Sequence, residues 1–189
     1  MRDRGNVCLV GFMGSGKTTV GREAARRCGL RLVELDRLVE ARALMTIPEI
    51  FKRLGEAYFR DIESDILREV AAGDGQLLVS GGGVLIRKKN RECLRKNYYM
   101  IWLRIGVGEL MRRLRTIKDE GRRPLLAGIE KREDLARLVA ERERYYRDCD
   151  EVLDVDAKAP SVVIDRVVER IERWSGSREG SRQADAGSY

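Results

Sequence analysis

The sequence predicts an α/β fold: three layers, with helices on both faces of a five-stranded parallel sheet. Three observations carry this. Short apolar runs alternate with longer helical patterns along most of the 189 residues, the signature of successive β-α-β units. The strand-like runs are apolar at consecutive rather than alternate positions, as strands covered on both faces are. A glycine-rich loop joins the first strand to the first helix, where folds of this class bind their ligands.

The elements follow in order. Residues 6–10 (NVCLV) form an apolar run stopped by glycine, which reads as a buried strand. Helical spacing over 17–28 ends at Gly29, a helix stop. A second strand spans 31–35 and a helix 36–44. Thr46 and Glu49 stand in capping-box relation with Pro48 in the first turn, so another helix starts there. A helix over 56–72 stops at Gly73-Asp74-Gly75, and a third strand, 76–80, runs into Gly81-Gly82-Gly83. Helix 87–96, strand 98–103 and helix 107–117 come next. Residues 118–128 are polar and rich in breakers, hence a loop. A charged helix over 130–147, a fifth strand over 151–155 and an amphipathic helix over 161–174 complete one domain, 1–174. Ser, Gly and Ala dominate 175–189, so this tail is expected to be disordered.

Composition excludes several function classes. The chain is 43% apolar and 37% charged, enough for a core and too charged for a membrane span. It contains no histidine, which removes Ser-His-Asp triads and His-ligated metals. Cys8, Cys28, Cys93 and Cys149 form no C-x-x-C pair and read as isolated thiols in a reducing compartment. With no apolar leader segment, the expectation is a cytoplasmic protein. Lys plus Arg total 38 against 31 acids, a net +7, and 30 of the 38 are arginine. The surplus suits either an anionic partner or a solvated arginine-rich surface. No basic motif interleaved with aromatics marks a nucleic-acid binder.

Gly11-Phe12-Met13-Gly14-Ser15-Gly16-Lys17-Thr18 fits G-x-x-x-x-G-K-[ST] in full, between a predicted strand and a predicted helix. The backbone N–H groups of Gly14 to Thr19 can cradle phosphates at the helix N-terminus. Lys17 can reach the outer phosphates, and the Thr18 hydroxyl can ligate Mg²⁺. This predicts a P-loop NTPase-type fold that takes a nucleoside triphosphate. Four further groups concern a second substrate. Glu34 and Asp36 close the second strand: one can hold Mg²⁺ through water and the other can take a hydroxyl proton, although Asp36 also suits a plain helix N-cap. Arg60 and Glu63 share a helix face; they form either a surface pair or a guanidinium held towards a carboxylate. Gly81, Gly82 and Gly83 allow close approach to a ligand, or simply end a strand. Arg123, in the breaker-rich loop, can neutralise phosphoryl charge if that loop closes as a lid. Arg142 offers a second fork, within a helix face that also reads as merely solvated.

GFMGSGKTTVGR, the Glu34/Asp36 pair, TIPEIF, F-R-x-x-E, SGGG, RPLLAG and E-R-x-x-x-Y, in this order, resemble the shikimate kinase family. The resemblance spans residues 6–174. It implies transfer of the γ-phosphoryl of ATP to the 3-hydroxyl of shikimate, with Mg²⁺, in a monomer. It implies Lys17, Asp36 and Arg123 as catalytic residues, with Asp36 on the shikimate hydroxyls. Arg60, oriented by Glu63, and Arg142 would grip the carboxylate, beside Gly81, Gly82 and Gly83. Ile47, Phe51 and Phe59 would form the apolar wall, within a substrate-binding segment 36–63 and under a lid 118–128. Glu34 departs from the family's aspartate by one methylene, and Tyr145 replaces an aliphatic residue. Another small-metabolite kinase, for gluconate or a nucleoside monophosphate, is the rival that the phosphate loop alone permits. A ligand sensor on the same fold should have lost Lys17, Thr18 or Asp36, and all three are present.

Overall fold

The computed structural model describes residues 5–116 and 131–186. Five parallel strands form one sheet: β1 (Val7–Val10), β2 (Arg31–Glu34), β3 (Gln76–Val79), β4 (Tyr99–Arg104) and β5 (Glu151–Asp154). Their order is β2-β3-β1-β4-β5. β1 is central, with Leu9 level with Val79 on one side and with Ile101 on the other. The chain leaves β1 to one side for β2 and β3, then crosses to β4 and β5. Loops after β1 and β3 therefore open a crevice at the carboxyl ends of adjacent strands, the place where such sheets bind ligands.

Residues of β1 alternate between two cores. Val7 and Leu9 face one, with Val20 and Ala24 of α1 (Lys17–Cys28), Leu110 of α6 (Val107–Thr116), Leu135 and Val139 of α7 (Arg132–Tyr146), and Val163, Val167 and Ile171 of α8 (Pro160–Ala186). Cys8 and Val10 face the other. There they meet Leu35 and Val39 of α2 (Leu35–Ala43), Ile50 of α3 (Ile47–Arg53), Phe59, Ile66 and Leu67 of α4 (Gly55–Val70), and Leu94 of α5 (Lys88–Asn97). Each fully buried Val or Leu contributes about 1.5–3 kcal/mol. Apolar side chains on both faces explain why these strands are continuously hydrophobic.

Each expected strand and helix among the described residues is present, with ends shifted by a residue or two. The capping box forms: the Glu49 N–H donates to Thr46 Oγ1, and the Thr46 N–H donates to Glu49 Oε2 at 2.9 Å. Three differences stand out. A 3-10 turn, Val84–Ile86, follows the glycine run. The N-cap of α2 is Glu34, with no side-chain cap, and Asp36 lies inside the first turn; the capping alternative for Asp36 therefore fails. The last helix is longer than the expected 161–174, running from Pro160 to Ala186. The 118–128 loop, with Arg123, lies outside the described residues. No described helix is long and apolar enough to cross a membrane.

Candidate active site

The crevice is a cleft of about 530 Å³. Among the predicted site residues it is lined by Gly14, Gly16, Lys17, Thr18, Thr19, Glu34, Asp36, Ile47, Phe51, Phe59, Arg60, Glu63, Gly81, Gly82 and Gly83. These come from the β1 loop, the ends of β2 and β3, and the α3–α4 pair. Arg142, on α7, is half-buried and does not line it.

The phosphate loop is built on positive φ. Gly11 has φ 142°, and a Cβ there would sit 2.5 Å from the Leu103 carbonyl oxygen, so only glycine lets the loop leave β1 this way. Lys17 is buried, and its ammonium donates to the carbonyls of Gly11 (2.8 Å) and Phe12 (3.0 Å). The Ser15 hydroxyl is buried with no protein partner among the described residues, an uncommon state that leaves it ready for an anion. Thr18 and Thr19 are exposed to the cleft. Arg113 of α6 braces the loop: it donates to the Gly14 carbonyl (3.1 Å), to the Val155 carbonyl (3.1 Å) and to Glu109 (2.7 Å). Hydrogen bonds from Arg112 and Arg113 hold the Glu109 carboxyl down at about 2.

On the opposite wall, Arg60 and Glu63 are both buried. Arg60 Nη1 donates to Glu63 Oε2 at 2.9 Å, and its Nε and Nη2 reach the half-exposed Glu56. Phe59 lies under the guanidinium at 4.9 Å and against Phe51 at 5.0 Å. Burial raises the Glu63 carboxyl above the usual range, while Arg60 pulls it back. Its second oxygen, Oε1, has no hydrogen-bond partner among the described residues. The surface-pair reading of Arg60 and Glu63 is therefore wrong: the pair sits inside. The glycine run is what lets it lie there. A Cβ on Gly83 would come within 2.5 Å of Arg60 Nη2, and one on Gly81 within 2.7 Å of Asp36 Oδ1.

Asp36 is open to solvent, yet it stands inside the cleft. Loss of part of its hydration raises its carboxyl above the ordinary value, opposed first by Lys17 and then by Arg60. Water reaching the side chain limits the rise. Glu34 is taken by two arginines at the cleft mouth, Arg22 and Arg37, each at 3.1 Å. The described residues hold no cluster of three or more His, Cys, Asp or Glu able to cage a metal.

Sequence reasoning missed Arg22, Arg37 and Arg113, which look like ordinary surface arginines; Tyr146 closes the E-R-x-x-x-Y motif, whose spacing names no contact for it. The Tyr146 hydroxyl donates to the Gly82 carbonyl at 2.5 Å, and its ring packs on Trp102. Cys8, Cys93 and Cys149 form no disulfide, and burial pushes the Cys149 thiol up to about 12, far from reactive.

A phosphate loop that faces a buried guanidinium–carboxylate pair across the crevice of a parallel sheet defines a P-loop kinase of small molecules. The chain belongs to the shikimate kinase family: that family's model matches residues 13–172. It is 38% identical to the shikimate kinase of Moorella thermoacetica over 170 residues, 90% of this chain and 96% of that protein. It is 40% identical to that of Symbiobacterium thermophilum over 168 residues, 88% of this chain and 96% of that protein. Among solved structures, shikimate kinase from Acinetobacter baumannii in complex with shikimate superposes with a TM-score of 0.81. It has 30% identity and covers 89% of this chain and 93% of that one. A gluconokinase from Sinorhizobium meliloti has a TM-score of 0.60 at 15% identity, over 96% of this chain and 99% of that one, a likeness of fold alone.

Proposed function

We propose that this chain transfers the γ-phosphoryl of ATP to the 3-hydroxyl of shikimate, giving shikimate 3-phosphate and ADP on the route to chorismate and the aromatic amino acids. The observation that carries this is the Arg60–Glu63 pair, buried in the cleft wall next to Asp36 and the glycine run. A buried guanidinium calls for an acceptor bearing a carboxylate, and Asp36 calls for one bearing a hydroxyl. Ile47, Phe51 and Phe59 supply an apolar face for a carbon ring.

In this reading the phosphate loop N–H groups and the Ser15 hydroxyl hold the phosphates. Lys17 exchanges its loop carbonyls for the outer phosphate oxygens. Arg123 adds charge from the 118–128 segment. Asp36 accepts a hydrogen bond from the attacking hydroxyl and receives its proton as the new O–P bond forms and the β–γ bridging bond breaks. Arg60, held by Glu63, and Arg142 grip the carboxylate. The donors facing the cleft, the Thr18 hydroxyl with Asp36 and Glu34 nearby, are hard oxygens without a cage. That set suits Mg²⁺, which keeps its waters and arrives with phosphates. Thr18 would hold it directly and Glu34 through water, and the ion would neutralise phosphoryl charge. The protein is expected to be a cytoplasmic monomer with no nucleic-acid or membrane partner.

The test is ADP release with MgATP and a panel of acceptors. Turnover with shikimate, and none with gluconate or nucleoside monophosphates, is expected. Turnover with gluconate and none with shikimate would overturn the proposal.

A further inference from the structure

The glycine run and the 3-10 turn after it have every carbonyl engaged from within the protein. The Gly81 and Gly83 carbonyls accept from the N–H groups of Val84 and Ile86. The Val84 carbonyl accepts from Asn90, and those of Leu85 and Ile86 accept from Arg91. The Gly82 carbonyl is left for a distant element, and it accepts from the Tyr146 hydroxyl at 2.5 Å. The amides differ. Among the described residues, the N–H groups of Gly82 and Gly83 donate to no protein acceptor. Both glycines line the cleft. All peptides are trans, so the Gly83 N–H points opposite to the Gly82 carbonyl, away from α7.

Tyr146 is built for one orientation. It is 2% exposed, and its ring is fixed against Trp102 with centroids 5.4 Å apart. It ends α7, one helical turn beyond Arg142, so the two side chains share a helix face. The neighbouring Tyr145 lies against Arg91, the residue that ties the Leu85 and Ile86 carbonyls. The end of α7 is thus fastened to the segment that carries the glycine amides.

We propose that Tyr146 is a positioning residue for the acceptor: its hydroxyl sets the plane of the Gly82–Gly83 peptide, and so holds the Gly83 N–H as a donor to an acceptor oxygen in the cleft. The same bond sets the rotation of α7, and with it the direction of Arg142. The residue touches no reacting atom and acts through the peptide. This rests on the acceptor reading given above.

The test is Tyr146→Phe, which keeps the ring on Trp102 and removes only the hydroxyl. Wild type is assayed first with MgATP and shikimate; absence of turnover there overturns the acceptor reading, separately from the role of Tyr146. With wild type active, Y146F is expected to raise the shikimate KM about fivefold to tenfold, the worth of one lost hydrogen bond. Its ATP KM and kcat should stay within twofold, and its melting temperature within about 6 °C of wild type. Tyr145→Phe, which removes a hydroxyl bonded, among the described residues, only to Arg144, should keep the wild-type shikimate KM. An unchanged shikimate KM in Y146F would overturn the proposal. So would an equal rise in both KM values, a larger fall in melting temperature, or an equal shift in Y145F.

Discussion

Gly83→Ala tests the wall of the acceptor pocket with a single methyl group. The added Cβ would lie 2.5, 2.7 and 2.8 Å from Arg60 Nη2, Nη1 and Cζ. Ordinary contact needs roughly 3.5 Å, so the guanidinium must retreat by about 1 Å. Glu63 is 1% exposed and bonds Arg60 at 2.9 Å, and a retreat of that size breaks the bond. Glu63 already has one oxygen without a hydrogen-bond partner among the described residues. Losing the other partner too costs about 3–5 kcal/mol if the charge stays, and less if Glu63 takes up a proton, as its raised pKa favours. A displacement of about 1 Å in a positioning group costs on the order of 100-fold in rate. We therefore expect kcat/KM for shikimate to fall about 100-fold, with the ATP KM near wild type because the three atoms nearest the added methyl group all belong to Arg60. The assay is steady-state ADP release with each substrate varied in turn. Arg60→Ala removes the clashing group, so adding Gly83→Ala to that background should cost almost nothing further. Full additivity in this double-mutant cycle, or a G83A enzyme within threefold of wild type, would refute the reasoning.

Asp36→Asn should abolish most turnover while leaving the ATP Kd near wild type, as measured by equilibrium binding of the nucleotide. Since the Asp36 pKa is raised, the acid limb of kcat/KM for shikimate in wild type should lie above the usual aspartate value of about 3.9, and it should be absent from the residual D36N rate. Glu109→Gln loosens Arg113 and the Gly14 carbonyl that it holds, so the ATP KM should rise severalfold with the shikimate KM unchanged. The native Glu109 pKa of about 2 lies below its unfolded value of 4.5. The stability difference between wild type and E109Q is therefore full above pH 4.5 and shrinks as pH falls towards 2, as melting curves across that range would record. Glu34→Gln frees Arg22 and Arg37 from their shared carboxylate. If Glu34 reaches the metal through water, the Mg²⁺ concentration giving half-maximal rate should rise; an unchanged titration would assign Glu34 to its arginines alone.

What could be read from the sequence is what the chain encodes locally. The phosphate loop is eight consecutive residues whose conformation follows from its glycines, and the capping box at Thr46 is four residues long; neither needs tertiary context. The sheet was legible because strands buried on both faces must be apolar throughout. Contacts between distant segments were not legible. Tyr146 meets Gly82 across 64 residues, and Arg113 meets Gly14 across 99. Nothing in the spacing of either residue marks its partner. The role of Asp36 was ambiguous for a different reason: whether a residue caps a helix or lies within its first turn depends on a boundary shift of one or two positions.

The arginine surplus shows the same division. Glu23 and Arg26, Asp65 and Arg68, and Arg60 and Glu63 are all pairs three residues apart on helices, and as sequence they are alike. In the structure the first two are solvated, with Arg26 and Arg68 side chains 71% and 76% exposed, against 6% for Arg60. Exposed pairs contribute about 0–1 kcal/mol, and Arg27–Asp165, Arg42–Glu69 and Arg104–Asp154 tie up further surface charge in the same way. Each such pair is neutral, so the pairs spread arginine over a solvated surface and the net +7 is the arginine excess left beyond them. Burial gives Arg60 a different meaning. A guanidinium removed from water, held on one side by Glu63 and open to the cleft on the other, gains most from an anion that completes its hydrogen bonds. A neutral sugar would leave the guanidinium N–H groups not already spent on Glu63 and Glu56 without a charged acceptor. That physical difference, absent from the spacing and present in the packing, is what favours an acceptor bearing an anionic group over a neutral sugar.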